Sequence, residues 1–266
     1  MTSRNPAKRL WTSENRNMTD IHAHIIPGID DGSETMEDSL ELISMAAESG
    51  VRTIVATPHC NIPGEFENYA SSELEERFGA LVREAERARI PIRIVRGAEV
   101  FATEEMPRLL TEGRVWTLNG TKYFLTEFAF TEDPDYCSFV LKKCADAGFK
   151  PIVAHPERYF FMQEIPEIAF DWCMSGYGLQ INKGSLLGRF GPGPRRTAEM
   201  LVDHGLAACV ASDAHSPTER TTHMAEIREY LTDYFGEDYM RLLLEENPSR
   251  ILSGKELLGY EPIPFY

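Results

Sequence analysis

Short runs of apolar, often β-branched residues alternate along the chain with longer segments in which apolar residues recur every three to four positions. The short runs predict strands and the longer segments predict helices. The predicted strands lie near residues 19–22, 53–57, 92–98, 123–127, 150–154, 178–181 and 207–212. The predicted helices include residues 35–48, 71–89, 136–147, 164–174 and 195–204, and further helices are expected over 224–259 on the outside of the fold.

Local signals predict where two of these helices begin or end. Thr35 followed by Asp38 resembles a capping box at the start of the first helix, and Gly50 is placed to end that helix. Asn247-Pro248 predicts a helix boundary near the end of the chain, because the residue before a proline avoids the helical conformation.

The alternation of strand and helix predicts parallel strands joined by right-handed crossovers. About seven such units follow one another, and no pattern marks a reversed strand order or a linker between domains. We therefore predict one α/β domain at residues 18–266, folded as a barrel. Apolar periodicity alone does not separate a barrel from a doubly wound open sheet, which stays an alternative.

The first part of the chain, residues 1–17, is polar and lacks the apolar stretch of a secretory signal. We interpret it as a flexible N-terminal arm. No apolar run elsewhere approaches the roughly 18–20 residues that are needed to span a bilayer. These features together predict a cytoplasmic protein without a membrane span.

The chain has five cysteines, an odd number, and none of them forms a CxxC pair. This usage argues against a disulfide framework and is typical of a reducing compartment. Thiol-based tyrosine phosphatases carry an arginine six positions after the nucleophilic cysteine, and none of these cysteines has one. We therefore expect no phosphocysteine chemistry, and we expect the cysteines to pack as small apolar groups.

The formal net charge of the chain is −15. Such a chain repels a phosphate backbone at long range, which argues against a general nucleic-acid-binding protein. Carboxylates gathered around divalent cations would add to the same excess, so charge alone does not separate a solvated acidic surface from a metal site. The acidic segment at 73–86 is interpreted as the solvated face of a helix.

Side chains that can bind a metal stand at the carboxyl end of six of the seven predicted strands. They are His22 and His24 with Asp31 just beyond, His59, Glu99, Glu127, His155, and Asp213 with His215. The carboxyl ends of parallel barrel strands meet at one rim. Alternate residues of a strand point to the same face, so both histidines of an HxH motif can reach one ion. Only the sixth strand, which ends in Gln180-Ile181-Asn182, lacks an obvious ligand.

Each of these motifs alone has a simpler explanation: an HxH motif is often incidental, Asp30-Asp31-Gly32 is typical of a turn, and a single glutamate is typical of a cap. Their conjunction favours a metal site. Five of the seven histidines lie at strand ends, and the other two, His204 and His223, lie in predicted helical segments. Imidazole and carboxylate ligands suit Mn, Fe or Zn.

The ordered motifs around these residues resemble the polymerase and histidinol phosphatase (PHP) family. The matching stretches are DIHAHIIPGIDDGSETMEDSL, GVRTIVATPH, RGAEVF, LTEF, PIVAHPERY, QIN, VASDAHS, RTTHMAEI and ENPSRIL. They run from about Thr19 to Leu252, nearly the whole chain. Within the family, the chain is most similar to the bacterial tyrosine-protein phosphatases of capsule and exopolysaccharide synthesis.

The resemblance implies a distorted (β/α)7 barrel that holds three divalent ions, with Mn favoured and Fe, Zn or Mg as alternatives. The first ion would be held by His22, His24, Glu99 and Asp213, the second by Glu99, Glu127 and His155, and the third by Asp31, His59 and His215. Arg158 and Arg220 match the arginines that grip phosphate and, with Asp213, form the implied catalytic set. Cys60 departs from the family, whose members commonly have a basic or imidazole side chain there, and we expect this to alter substrate contacts.

The function implied by the resemblance is hydrolysis of protein phosphotyrosine by metal-activated water, with a bacterial tyrosine autokinase as the expected partner. A phenol with a pKa near 10 needs less protonation to leave than an alkyl alcohol, so an aryl phosphate suits a site without an assigned general acid.

Other functions stay open at this stage. The same metal site can serve a small phosphomonoester such as histidinol phosphate, or a nucleic-acid phosphodiester, which the charge disfavours. Amidohydrolases commonly have a carboxylated lysine where Glu127 stands. A non-catalytic, metal-binding regulatory module is a further alternative. The segment Gly188–Arg196 is either a basic loop that grips substrate or a Gly/Pro connection with solvated arginines.

Overall fold

The computed structural model describes residues 17–259 and 262–265. The predicted N-terminal arm, apart from Asn17, lies outside the described residues. Every pair of neighbouring strands in the described part of the chain is parallel, which confirms the predicted α/β class.

The strands form two sheets whose order follows the chain. The strands are β1 (Met18–Ala23), β2 (Val51–Ala56), β3 (His59–Cys60), β4 (Arg93–Arg96), β5 (Glu99–Phe101), β6 (Tyr123–Glu127), β7 (Lys150–Ala154), β8 (Gly178–Asn182) and β9 (Cys209–Ala211). One sheet has the order β1-β2-β4 and the other has the order β3-β5-β6-β7-β8-β9. All seven predicted strands are confirmed. The second and third are each followed, after a gap of two residues, by the short strands β3 and β5.

Eleven α-helices connect and follow these strands in the described residues. They are α1 (Met36–Ser49), α2 (Ser72–Arg87), α3 (Met106–Thr111), α4 (Pro134–Asp146), α5 (Phe160–Glu164), α6 (Glu167–Met174), α7 (Lys183–Leu186), α8 (Pro192–Asp203), α9 (Ala225–Phe235), α10 (Glu237–Arg241) and α11 (Asn247–Leu252). A π-helical turn at Leu242–Glu246 joins the last two. No helix in the described residues is long and apolar enough to cross a membrane.

The predicted helix signals are confirmed at α1. The Thr35 hydroxyl accepts a hydrogen bond from the backbone N–H of Asp38, and the Asp38 carboxylate accepts one from the backbone N–H of Thr35. This reciprocal pair satisfies two backbone donors that the helix leaves free. Gly50 ends α1 in the left-handed conformation, at φ 103°. At the other end of the chain, α11 begins at Asn247 and directly continues the π-helical turn. Asn247 is itself helical, at φ −64° and ψ −44°, so the expectation that it avoids the helical conformation is wrong.

The prediction of helices over 224–259 is wrong in two respects. The last helix ends at Leu252, and residues 253–259 are irregular. Helix α11 also does not lie only on the outside, because Ile251 and Leu252 pack into an apolar cluster with side chains of β1, β2, β4, β6, β7 and β9. These two residues are therefore part of the apolar packing between the strands and α11.

Hydrogen bonds connect the two sheets at the ends of several strands. Gly97 N–H donates to Ala56 O at 2.9 Å, which continues the ladder across the gap between β4 and β5. On the other side, His24 N–H donates to Ala214 O at 2.8 Å, and Ala23 forms a parallel bridge with Ala214. These contacts bring the first strand next to the last one. A closed seven-stranded barrel stays a prediction, because the strands are divided between two sheets.

Candidate metal centre

The strands and the loops that follow them bring all the predicted ligand residues to one place. His22 and His24 lie at the end of β1, His59 and Glu99 begin the short strands β3 and β5, Glu127 ends β6, His155 follows β7, Asp213 and His215 follow β9, and Asp31 lies in the loop before α1. Most of these side chains are buried, with Asp31 as the exposed member. The strand positions therefore explain how residues far apart in sequence meet.

Three groups of ligand-type side chains have their ligand atoms within 4.8 Å of one another in the described residues. The groups are His22, His24 and Glu99; His59, Glu99 and Glu127; and His24, Asp31, His59 and His215. The two remaining predicted ligands touch these groups. His155 Nε2 lies 2.9 Å from Glu99 Oε1, and Asp213 Oδ1 lies 3.4 Å from His22 Nε2. The groups share His24, His59 and Glu99, so they form one continuous cluster.

An unpartnered carboxylate oxygen lies at the centre of the cluster. Glu99 Oε2 is buried and accepts no hydrogen bond in the structure. It nevertheless lies 3.1 Å from His22 Nε2, 3.2 Å from His24 Nε2 and 3.2 Å from His59 Nδ1. The two Nε2 atoms of His22 and His24 also face each other at 3.2 Å. A buried polar atom without a partner is costly. This donor set therefore fits divalent cations, to which carboxylate and imidazole both donate lone pairs.

The charges of the cluster support the same conclusion. Burial would lower the pKa of His22, but the nearby Glu99 and Asp213 carboxylates outweigh it and raise that pKa to about 9. Burial likewise opposes the rise of the His59 pKa to about 12, which Glu99, Asp31 and Glu127 cause. Positive charge nearby stabilises the ionised form of these carboxylates. Divalent ions bound at the cluster would supply this positive charge.

The pKa of His215 moves in the opposite direction. Burial and the neighbouring His24 lower it to about 4. Its ring is therefore neutral at physiological pH, which is the form that binds a metal. Burial would raise the pKa of Asp213, yet His22 and Arg220 hold it well below its usual range. This carboxylate is thus ionised and available as a ligand.

Two residues that the sequence interpretation passed over orient the imidazoles of β1. His22 Nδ1 donates to Gln180 Oε1 at 2.7 Å, and His24 Nδ1 donates to Asp30 Oδ2 at 2.8 Å. Both contacts leave Nε2 as the free, ligand-donating nitrogen, as outer partners of metal-binding histidines commonly do. Gln180 ends the one strand that lacked a ligand, and Asp30 seemed only a turn residue. The position of Gln180 at a strand end is the signal that could have identified it.

Gly32 allows the loop before α1 to approach the cluster. A Cβ atom at this position would lie 2.4 Å from the Cβ atom and 2.4 Å from the carbonyl oxygen of His24. Any side chain here would therefore push the Asp31 loop away from β1. The turn prediction for Asp30-Asp31-Gly32 and the metal prediction are thus compatible, since the close turn presents Asp31 to His59 and His215, each at 3.4 Å.

Two ligand positions adopt a backbone conformation that is rare for residues with a side chain. His155 has φ 35° and Asp213 has φ 49°. His155 directly follows β7, and Asp213 follows β9 after one residue, where the chain must turn while the side chain stays beside the other candidate ligands. Left-handed residues other than glycine store strain, and such strain clusters at functional sites.

The two predicted arginines lie beside the cluster. Arg158 Nη1 lies 3.4 Å from Asp213 Oδ2, and Arg220 Nη2 lies 2.5 Å from the same oxygen. Asn182 Nδ2 donates to this oxygen as well. Arg158 is at the end of a short 3-10 turn after β7, and Arg220 is in the loop after β9. Two guanidinium groups and the imidazole cluster therefore converge on one carboxylate.

The remaining histidines do not belong to the cluster. His204 directly follows α8, and its Nδ1 is 2.8 Å from Ile263 O. His223 lies in the irregular segment before α9, so its assignment to a helix is wrong. In Gly188–Arg196, Arg189 pairs with Glu226 and Arg195 with Glu199 on the surface, which confirms the connection with solvated arginines.

The cysteines behave as packing residues. All five are free, and all but Cys173 are fully buried. Burial raises the pKa of Cys60 to about 12, so its thiol is protonated and inert. Cys60 is also part of the apolar core. That its presence in place of a basic or imidazole side chain alters substrate contacts stays a prediction.

Comparison with known proteins agrees with this geometry. The family described as "Capsular polysaccharide synthesis, CpsB/CapC" matches residues 18–253. The tyrosine-protein phosphatase YwqE of Bacillus subtilis (strain 168) is 34% identical over 247 residues, which cover 93% of this chain and 96% of that protein. The tyrosine-protein phosphatase CpsB of Streptococcus agalactiae is 32% identical over 240 residues, covering 88% and 98% of the two chains.

A solved structure is similar over nearly the whole chain. It comes from a study of YwqE from Bacillus subtilis and CpsB from Streptococcus pneumoniae, described as unique metal-dependent tyrosine phosphatases. Its TM-score is 0.87 at 33% sequence identity, and the match covers 94% of this chain and 100% of that one. The resemblance drawn from the ordered motifs is thereby confirmed.

Proposed function

The chain belongs to the CpsB/CapC family of capsular polysaccharide synthesis, and from this membership we propose that it is a metal-dependent protein-tyrosine phosphatase. One observation carries the proposal. The Asp213 carboxylate lies between the imidazoles of the candidate metal centre and the guanidinium groups of Arg158 and Arg220. This arrangement provides cation ligands and phosphate donors on the same side of the domain.

We propose three divalent ions in the cluster, with manganese as the favoured metal. The proposed ligands are His22, His24, Glu99 and Asp213 for the first, Glu99, Glu127 and His155 for the second, and Asp31, His59 and His215 for the third. The three groups found in the structure support a multinuclear centre, because Glu99 takes part in two of them. His59 Nδ1 lies 2.9 Å from Glu127 Oε1, so His59 is near the second set as well as in the third.

Bound ions would offset the repulsion between nucleophile and phosphate, activate a water molecule and clamp the phosphoryl oxygens. The side chains supply the rest. The planar guanidinium groups of Arg158 and Arg220 match two phosphoryl oxygens each, and they add hydrogen bonds to a charged group. Asp213 holds both arginines in place before substrate arrives. The phenolic leaving group needs little protonation, which suits a site with no assigned general acid.

We further propose that the two sheets form a closed, distorted (β/α)7 barrel. The hydrogen bond from His24 to Ala214 joins the first and last strands, and the inner apolar cluster takes side chains from six strands. Rim residues of a barrel converge from all sides, as the candidate ligands do.

The proposed substrate is a phosphotyrosine protein, and the proposed partner is a bacterial tyrosine autokinase that controls polysaccharide synthesis. We propose the cytoplasm as the compartment, since the five cysteines are free. Nucleic acid is not expected as a substrate, because a net charge of −15 repels its backbone.

A rate comparison tests the proposed function. Phosphotyrosine peptides, histidinol phosphate and single-stranded DNA are supplied to the protein with manganese, and the measurements are repeated after chelation. We expect the phosphotyrosine peptides to react fastest, and we expect chelation to abolish the reaction. Faster hydrolysis of histidinol phosphate would favour a small-molecule phosphatase. Tight metal binding without hydrolysis of any substrate would favour a regulatory module.

A further inference from the structure

We propose that Phe130 and Phe190 form an aromatic wall that binds the ring of an aryl phosphate and so favours phosphotyrosine over alkyl phosphates. This inference rests on the proposed function and deepens it. It assigns a role to two residues outside both the ligand set and the arginine pair. Phe190 also gives a role to Gly188–Arg196, a segment in which Arg189 and Arg195 pair with carboxylates of other residues.

Both rings lie against the arginine that is proposed to hold phosphate. Arg158 Cζ is 4.6 Å from the ring centroid of Phe130 and 4.6 Å from that of Phe190. Arg220 Cζ is 5.8 Å from the Phe190 ring. Guanidinium groups at these distances interact favourably with the face of an aromatic ring. The two phenylalanines therefore border the same space as both arginines.

Phe130 also borders the metal centre. Its ring centroid is 6.0 Å from that of His155, in an edge-on arrangement. A phosphoryl group held between Arg158 and the cluster would thus have this ring beside it. In the proposed arrangement, the ester substituent of such a group would lie beside the two phenylalanine rings. An aromatic substituent can pack there on the exposed surface of the phenylalanines.

The surroundings of the two rings differ from those of a core phenylalanine. Phe130 is 38% exposed, although Phe128, only two residues earlier, is buried in the main core. Phe190 is half-buried in the connection between α7 and α8. Both rings therefore keep free surface next to charged groups. Aromatic pairs favour edge-on or offset contacts, which such free surface can offer to a phenyl ring.

Binding of non-hydrolysable probes tests the wall without relying on turnover. Phenylphosphonate, methylphosphonate and inorganic phosphate are titrated into the manganese-loaded full-length protein by calorimetry. The variants are Phe130→Leu, Phe190→Leu and the double variant, since leucine keeps the apolar volume. The control is Phe139→Leu, because Phe139 is 45% exposed on α4 and its ring also contacts a cation, Lys143, at 4.5 Å.

We expect the double variant to bind phenylphosphonate about tenfold more weakly, the scale of a lost aromatic contact, and each single variant to lose part of this. The affinities of these variants for methylphosphonate and phosphate should change less than twofold. Phe139→Leu should leave the affinity for all three probes unchanged. An equal loss for all three probes would overturn the proposal, because the rings would then only position Arg158. Equal binding of phenylphosphonate and methylphosphonate by the unaltered protein would also overturn it.

Hydrolysis of a phosphotyrosine peptide, measured in parallel, separates this inference from the proposed function. If the peptide is hydrolysed but the preference for phenylphosphonate does not depend on the rings, the proposed aromatic wall is excluded and the proposed phosphatase function is supported. If the preference depends on the rings but the peptide is not hydrolysed, the wall stands as an aryl-binding surface and the proposed function fails.

Discussion

Carboxylates occur in two contrasting settings in this molecule. Some lie on the exposed faces of the helices, here called the shell, and others lie among the candidate ligands at the ends of the strands, here called the rim. On α2, Glu73 pairs with Arg77 one turn away at 3.0 Å, and both side chains are exposed. At the rim, Glu99 is buried, and three imidazole nitrogens surround its unpartnered Oε2. The same residue type is thus solvated and paired in one region, and dehydrated and incompletely paired in the other.

The difference indicates which charges serve stability and which serve chemistry. An exposed pair one turn apart contributes little, because water and salt screen it. A buried carboxylate with an oxygen that lacks a hydrogen-bond partner lowers stability unless something compensates its charge. Bound cations would therefore compensate the buried carboxylates of the rim, whereas the exposed ion pairs of the shell need no ligand.

The largest expected effect comes from removing the central rim carboxylate. Glu99→Gln should lower kcat/KM for a phosphotyrosine peptide by roughly a thousandfold, since several kcal/mol of cation-dependent stabilisation of the transition state is lost. Metal content, measured by mass spectrometry, should fall as well. Glu73→Gln is the matched control and should keep both values. Normal activity of Glu99→Gln would remove the distinction between rim and shell.

Metal removal should affect the stability of the domain next most strongly. Ions that bind only the folded state stabilise it, by about 2.7 kcal/mol for each site at a free concentration one hundred times its Kd. Urea unfolding with manganese and then with chelator should therefore show a clear loss of stability on chelation. The loss should persist in Glu73→Gln and shrink in Glu99→Gln. Unchanged stability after complete metal removal would contradict a buried multinuclear centre.

A smaller effect is expected at the arginine side of the rim. Arg158→Lys should lower kcat/KM by about 10- to 100-fold, the equivalent of a lost charge-assisted hydrogen bond, while metal content stays nearly the same. The control is Arg195→Lys on α8, where Arg195 Nε is 2.8 Å from Glu199 in an exposed pair. An unchanged rate in Arg158→Lys would exclude Arg158 from phosphate binding.

The smallest effect is expected in the shell. Glu73→Gln should lower the free energy of unfolding by less than about 1 kcal/mol, because it removes one exposed pair and one favourable charge near a helix N-terminus. Urea unfolding at low and high salt measures this loss, and high salt should reduce it. A loss larger than that caused by metal removal would reverse the comparison between the two regions.

Local chemistry in the sequence identified most of the candidate site. Asp31 apart, each proposed ligand stands at or within a few residues of the end of a strand that apolar periodicity alone predicted, and the capping box of α1 was evident from Thr35 and Asp38. Gln180, Asp30 and Phe190 were passed over. Their roles depend on which distant side chain lies opposite them, and an isolated glutamine, aspartate or phenylalanine carries no local sign of that partner.

The sequence by itself determined which residue types stand at the strand ends, because the alternation of apolar and polar positions is a property of neighbouring residues. Only the tertiary structure decided that His22 and Glu99 approach to 3.1 Å and that Arg158 and Arg220 share the Asp213 carboxylate. The physical reason is that these distances follow from the parallel pairing of strands far apart in the chain. The paired strands hold charged side chains together at the rim although burying them is unfavourable.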